Sequence, residues 1–519
     1  MNRKEHPRPI FYRKNWLNLN GKWTCDFSKN IKGISTSQIN KKKYSKTINI
    51  PFCPESQLSG IGHTDFIQEI YYQRSFVIPK SWKDKKILLH FGGVDYQSLV
   101  FINKKKVGEN TGGSTPFSID ITSSTDFNST NDLKLYVIDK RCQGSLGPTP
   151  WYYGDGTFDN ETLIKKWTLN KKRTQPRGKQ SPHQQSWGCF YTRTTGIWQT
   201  VWLEAVNKTH IKGITIQPDL KLSQFNFIPE YSSKTECLLK IDISLKNKKI
   251  NSSLFSSTNK KLSIKIKNPK LWSIGKPNLY DFTFTLLSKN KNNIYDTVKS
   301  YSGMRLIEIK KNKIYLNNKP LYQRLVLDQG FYPTGIWTAP SDKDLKNDIL
   351  LSIKAGFNGA RLHEKVFEDR FHYWADKLGY ITWAEFPNWG MNENAKASEI
   401  SFMKEWPRIV NYLKNHPSII TWTPFNETNT RDCNTQHKKL MRKAYAVTKK
   451  IDPTRPVNET SGYQHQKTDI WTVHHYEPNP EKLKKVLNPK KGVYRNFPHF
   501  ETNYNKEPYI IDEYGGVWW

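Results

Sequence analysis

Two glutamates close apolar runs late in this chain. Glu427 ends SIITWTPFNE (418–427), and Glu513 lies in PYIIDEYGG (508–516). A pair of carboxylates at fixed separation can cleave a glycosidic bond: one protonates the leaving oxygen, and the other attacks the anomeric carbon or activates a water. The two roles need unlike surroundings, and the flanking residues are unlike. Asn426 precedes Glu427, and a neutral amide there can bind a sugar hydroxyl. Tyr514 follows Glu513, and Tyr476 ends the nearby run DIWTVHHYE (469–477); a phenol beside a carboxylate can orient it and keep it ionised. A second Asn-Glu-Thr, at 458–460, opens the polar run TSGYQHQK, so Glu459 is expected at the rim or capping a helix.

These side chains need a frame that brings residues 427 and 513 together. From Gly303 the pattern alternates between apolar strands and helices: LYQRLVL (321–327), NGARLH (358–363), YITWAEFP (380–387), SIITWTPFNE, RPVNETSG (455–462), DIWTVHHYE and PYIIDEYGG, with helical periodicity between them. Continuous apolar strands separated by helices indicate a parallel sheet with both faces covered. Seven such units predict a (β/α)8-type TIM barrel, whose chemistry sits at the C-terminal ends of its strands. Glu427 then ends the fourth strand and Glu513 the seventh, facing each other across the mouth.

The segment before residue 303 reads as β throughout. Residues 1–206 carry short alternating runs split by Gly, Asn and Pro, the pattern of a β-sandwich. Residues 207–302 repeat it in an immunoglobulin-like length. The polar stretch 142–175 reads as a long loop insertion. Domains are therefore expected at 1–206, 207–302 and 303–519.

Composition limits the alternatives. The 519 residues include 18 Trp and 26 Tyr, enough for aromatic sandwich cores with some left for stacking on sugars. The net charge of +35 comes from scattered Lys/Asn-rich turns such as NKKK (103–106) and KNKK (246–249), without an aromatic-basic stripe. Salt-sensitive, non-specific adhesion to polyanions is expected, but no specific nucleic-acid partner. Six widely spaced cysteines argue against a metal ribbon or a disulfide framework. No metal or cofactor is expected; Glu385, His363 and His474 are the weak exception to consider. The first residues lack an apolar leader and no transmembrane run occurs, so a cytoplasmic protein is expected.

The motifs LNGKW (19–23), FGGVDYQSLVFIN (91–103), TRTTGIWQTVWLE (192–204), FNGARLHEKV (357–366), WADKLGYITWAEFPNWG (374–390), NHPSIITWTPFNE (415–427) and IIDEYGG (510–516) resemble glycoside hydrolase family 2 over nearly the whole chain. That family comprises β-galactosidases, β-glucuronidases and β-mannosidases, built as jelly roll, immunoglobulin-like domain and barrel. The resemblance implies a retaining β-glycosidase with Glu427 as acid/base and Glu513 as nucleophile. Asn426 would meet the sugar 2-hydroxyl, and Arg361 would brace the nucleophile side. His363 stands two residues after that arginine, where the family often has histidine three after. Asp95 matches a polar side chain reaching in from the jelly roll. Asp328, Glu385, Trp389, His474 and Tyr476 are implied subsite residues, with a supporting role behind the sugar-contacting layer as the alternative for each of them and for Arg361 and Asp95. The family's barrel runs about one βα unit past the nucleophile, so a barrel without its eighth strand is expected here. The competing reading is a carbohydrate-binding remnant without catalysis.

Overall fold

The computed structural model describes residues 3–33, 35, 38–39, 44–140, 174–181, 184–186, 188–428, 435–488, 490 and 492–515. The expected insertion at 142–175 falls almost wholly outside them.

The N-terminal part is a sandwich of two antiparallel sheets. One has six strands, in the order Lys46–Ile50, Gly21–Ser28, Glu69–Val77, Thr130–Ile138, Gln97–Ile102, Lys105–Thr111. The other has four: Trp16–Asn18, Val201–Val206, Lys86–Phe91, Phe117–Asp120. Alternate residues of facing strands, among them Trp23, Ile48, Tyr72, Leu89, Val100, Leu135 and Leu203, fill the space between. The period of two in the sequence is thus the period of burial.

A second sandwich follows, with a three-stranded sheet (Ile211–Asp219, Gln224–Tyr231, Leu262–Lys265) on a four-stranded one (Lys248–Ser256, Cys237–Leu245, Leu279–Ser288, Ile294–Gly303). Phe225, Phe227, Phe282 and Phe284 pack at its centre, three of their contacts edge to face.

The third part opens on an antiparallel hairpin, Ile307–Lys310 with Lys313–Leu316, where strand–helix alternation was expected at once. Ile307, Ile314 and Leu316 pack against Ile381, Trp383 and Ile420, so the hairpin plugs the barrel's base. The parallel strands are β1 (Leu325–Asp328), β2 (Gly359–Leu362), β3 (Ile381–Glu385), β4 (Ile419–Thr423), β5 (Trp471–His475) and β6 (Tyr509–Tyr514). β1 to β4 pair in order, and β5 pairs with β6. Helices α1 (Asp342–Lys354), α2 (Asp369–Leu378), α3 (Lys396–Leu413), α4 (Thr435–Ile451) and α5 (Pro480–Val486) lie between. Ser341 caps α1, and Gly379 ends α2 at φ +69°, a conformation that suits glycine.

RPVNETSG does not form the expected fifth strand. Val457 and Ser461 each make a single parallel bridge, to Trp422 and Asn426. The reason is Glu459, which is neither at the rim nor on a helix. Its carboxylate is fully buried and accepts bonds from His465 Nδ1 and from the backbone N–H groups of Gln466 and Lys467, pulling the segment into a loop. Among the described residues no helix is long and apolar enough to cross a membrane.

Candidate active site

At the C-terminal ends of β2 to β6 one guanidinium organises the mouth. Arg361, in β2, is 2 % exposed. It bonds Glu385 through Nε, donates from Nη1 to Glu513 Oε1 at 2.7 Å, and donates from Nη2 to Asn426 Oδ1 at 2.7 Å. Residues from β2, β3, β6 and the loop after β4 are therefore held in one plane of donors, the fork geometry that arginine supplies. His363 Nδ1 lies 2.9 Å from Arg361 Nη2, and burial lowers its pKa, so the ring is neutral with that nitrogen accepting.

Glu427 has φ +43°, a left-handed conformation that non-glycine residues rarely adopt. Its N–H donates to Ser461 O at 3.0 Å, and Asn388 accepts from the Asn426 N–H at 2.7 Å while donating to Asn426 O at 3.1 Å. The chain is thus pinned on both sides of the turn, which is how such a conformation persists. Glu427 Oε1 lies 2.7 Å from His474 Nδ1.

Glu513 accepts from Arg361 on Oε1 and from the Tyr476 hydroxyl on Oε2. Burial would raise its pKa, but the charges of His474 and Arg361 outweigh this and hold it well below the usual carboxylate range. Burial would lower the His474 pKa; Glu513, Asp512 and the bond to Glu427 carry it instead up to about 10. His474 is thus an imidazolium at neutral pH, donating from Nδ1 to Glu427 and facing Asp512 with Nε2 at 3.3 Å.

Asp512 was not legible as a site residue. The pairing of β5 with β6 slips between Val473↔Ile511 and His474↔Glu513, leaving Asp512 as the extra residue of a bulge. A bulge breaks the alternation of faces, and so Asp512 and Glu513 both point inward. Asp512 Oδ2 accepts from Ser461 Oγ at 2.6 Å. Past the bulge Tyr514 turns outward. It is 68 % exposed and lines an outer groove with Leu483, Leu487 and Ile511. The expectation that its phenol orients Glu513 is corrected: Tyr476 occupies that role in space.

The remaining sequence candidates stand around this network. Glu385, 2 % exposed, is paired with Arg361 and accepts from the Glu364 N–H, a layer behind Glu513. Asp328 accepts from Gly330 N–H at 2.9 Å, its pKa pushed by burial to about 6, and its carbonyl accepts from His363 N–H. Asp95 accepts from Gln180 Nε2 at 2.8 Å, in the seam between sandwich and barrel, without a bond to either mouth glutamate. Trp389 has the ammonium of Lys179 3.7 Å from its ring centroid. Asn388, inside the motif WADKLGYITWAEFPNWG, Ser461, inside RPVNETSG, and Lys179 were not singled out by the sequence reading.

One oxygen each of Glu427 and Glu513 and one nitrogen of His474 lie within 4.8 Å of one another, a span a metal could use. A protonated imidazole has no lone pair to offer, so His474 suits a hydrogen-bond bridge between the carboxylates rather than a ligand. The Glu385, His363 and His474 trio, the weak exception considered above, is not brought together as a cation site among the described residues, and Arg361 takes up Glu385.

Comparison with known proteins agrees with this architecture. Models described as Glycosyl hydrolases family 2 match at residues 209–305, its TIM barrel domain at 307–517 and its sugar binding domain at 12–140. A "Putative beta-glucuronidase" of Formosa agariphila is 25% identical over 96% of this chain and 57% of its own length. A "Beta-galactosidase" of Thermoanaerobacter pseudethanolicus is 25% identical over 86% of this chain and 54% of its own. The chain therefore spans somewhat over half the length of these relatives. A β-D-glucuronidase structure from Dictyoglomus thermophilum superposes with a TM-score of 0.75 at 19% identity, covering 98% of this chain and 84% of that one. One from Ruminococcus gnavus, in complex with an N1-substituted uronic isofagomine, gives 0.77 at 17%, covering 97% and 84%.

Proposed function

The chain belongs to Glycosyl hydrolases family 2, and on that premise we propose that it hydrolyses β-linked glycosides at their non-reducing-end sugar by double displacement. The observation that carries the reading is the closeness of the two carboxylates, with oxygens of Glu427 and Glu513 within 4.8 Å. Direct attack uses carboxyl groups about 5–5.5 Å apart, whereas activating a water needs roughly 6.5–9.5 Å.

In this reading Glu513, held ionised by Arg361 and His474 and oriented by Tyr476, attacks the anomeric carbon. The bond from that carbon to the leaving oxygen breaks, and Glu427 delivers a proton to the oxygen. The proton is already near: His474 Nδ1–H lies against Glu427 Oε1 at 2.7 Å. A water then attacks the glycosyl–Glu513 ester, giving its proton to Glu427, and Glu513 leaves as carboxylate. Asn426 is supported as a sugar contact, because Arg361 fixes its Oδ1 while its buried Nδ2 has no partner in the protein. A donor left open in an otherwise satisfied site is where a hydroxyl can bind.

The relatives' names make β-galactosides and β-glucuronides the first substrates to assay. The anomer released first, followed by NMR, should be β. Release of the α-anomer would overturn the double displacement. Adding azide to Glu427→Ala should restore turnover and yield a β-glycosyl azide; absence of that adduct would remove Glu427 from the acid/base role.

A further inference from the structure

The chemistry above leaves Lys179 unused. Lys179 belongs to the strap 174–181, which lies against the loops after β2 and β3. The N–H groups of Arg177 and Gly178 donate to Trp389 O at 2.7 and 3.1 Å. Gly178 has φ +57°, and a Cβ there would lie 2.2 Å from the Glu364 carbonyl oxygen, so the strap lies as close to the loop after β2 as a chain can. The strap's position is set by main-chain contacts, and Lys179 extends from it over the Trp389 ring.

Lys179 is 6 % exposed. Its ammonium contacts the Trp389 ring and, at 3.8 Å, the Cys189 thiol; it forms no ion pair with the described carboxylates. The nearby acids are engaged elsewhere. Glu385 is bound to Arg361, and Glu513 is shared by Arg361 and Tyr476. Glu364 is fully buried, and its Oε2 accepts from Trp389 N–H while its Oε1 has no partner in the protein. Burial and the Glu385 charge push the Glu364 carboxyl well above the usual carboxylate range. The ammonium stands over Trp389, whose N–H is bonded to Glu364 and whose neighbour Asn388 holds the Asn426 backbone beside Glu427. An enclosed ammonium with two ring faces, Trp389 and, at 5.9 Å, Phe190, and a thiol has no anionic partner among the described residues, and an anion entering the mouth would complete it.

We propose that Lys179 is a specificity-determining residue, its ammonium receiving an anionic substituent of the substrate sugar, a carboxylate or a sulfate. This rests on the glycosidase reading above. It adds that the strap preceding the sandwich's last strands supplies part of the sugar site, on the side of the mouth where Trp389 stands.

The test compares wild type, Lys179→Met and Lys179→Arg on 4-nitrophenyl β-D-glucuronide, a 6-sulfated 4-nitrophenyl β-D-galactoside and the neutral β-D-galactoside. The quantity read is the ratio of kcat/KM for each anionic substrate to that for the neutral one. Lys179→Met should lower this ratio by about 10²-fold for the substituent the site accepts, and Lys179→Arg should keep most of it. The uronide and sulfate arms separate the two anions. A loss equal on charged and neutral substrates, or a wild type that favours the neutral one, would overturn the proposal while leaving the glycosidase reading intact. Should wild type hydrolyse none of the three, the glycosidase reading fails. Calorimetry with D-glucuronate, 6-sulfogalactose and D-galactose then decides: anion-selective binding lost in Lys179→Met supports the proposal, and its absence overturns it.

Discussion

The barrel carries two buried clusters of histidine, arginine and carboxylate, one at each end of β4. Before the strand, His416 Nδ1 lies 2.6 Å from Asp376 Oδ2, which also accepts from the Tyr301 hydroxyl at 2.8 Å. Arg305, in the link between the second sandwich and the barrel's hairpin, donates to the carbonyls of Pro417 and Ile419, and Arg455 donates to those of His416 and Ile419. After the strand come Asn426 and Glu427. By charge and pKa perturbation the two ends are alike: burial would lower His416, but Asp376 and Asp369 raise it to about 9. They differ in access. His416 and Asp376 are 0% exposed beneath the second sandwich, whereas the Glu427 and Glu513 side chains keep 11% and 12%. Perturbed groups become a candidate site where they also leave open donors and room for a ligand. At the base the same chemistry fastens two domains.

The comparison can be broken by exchanging what each end loses. Glu513→Gln should lower kcat/KM on the accepted glycoside by about 10⁴-fold or more, with an unchanged melting temperature; a small loss would show that the mouth is only another fastening. Arg361→Met should cost about 10²–10³-fold in kcat and move the acid limb of the pH profile upward. The sign follows from Arg361 holding the Glu513 pKa down: without it Glu513 protonates at higher pH. An unshifted limb would mean that His474 suffices.

Asp376→Asn should do the reverse, costing about 3–5 kcal/mol of stability by stranding the buried His416 charge. Its kcat per folded molecule should stay as in wild type, read by denaturant titration beside activity. His416 has a raised folded pKa, so its contribution is complete below about pH 6.5 and is lost as pH rises through about 9. A shift of that size corresponds to about 3 kcal/mol. Wild-type melting temperature should fall over this window and that of Asp376→Asn should fall less; parallel curves would refute the assignment. Ser461→Ala, which removes one of the bonds to Asp512, should slow turnover by less than about tenfold.

Element types and order were legible because they depend on local periodicity. Alternating burial in Cys237–Leu245, the cap at Ser341 and the stop at Gly379 follow from residues near in sequence. The same periodicity put Glu427 and Glu513 at strand ends. Glu459 shows the limit. Its Asn-Glu-Thr matches the one around Glu427, yet one glutamate is sealed in a loop and the other faces the mouth. Residues six to eight positions downstream hold Glu459, and residues 34 and 47 positions away hold the Glu427 turn.

By itself, then, the sequence determined most of the strands and the helices that follow them, and that two glutamates close apolar strands. Tertiary structure alone decided which side chains surround those glutamates. A one-residue bulge in β6 turned Asp512 inward and Tyr514 outward, a slip of pairing that strand periodicity does not encode. A strap from the first sandwich set Lys179 over Trp389 through main-chain bonds, which any sequence can make and no motif reveals. Arg361 joins Glu385, Asn426 and Glu513 from three other parts of the chain, a convergence that exists only once the strands stand side by side.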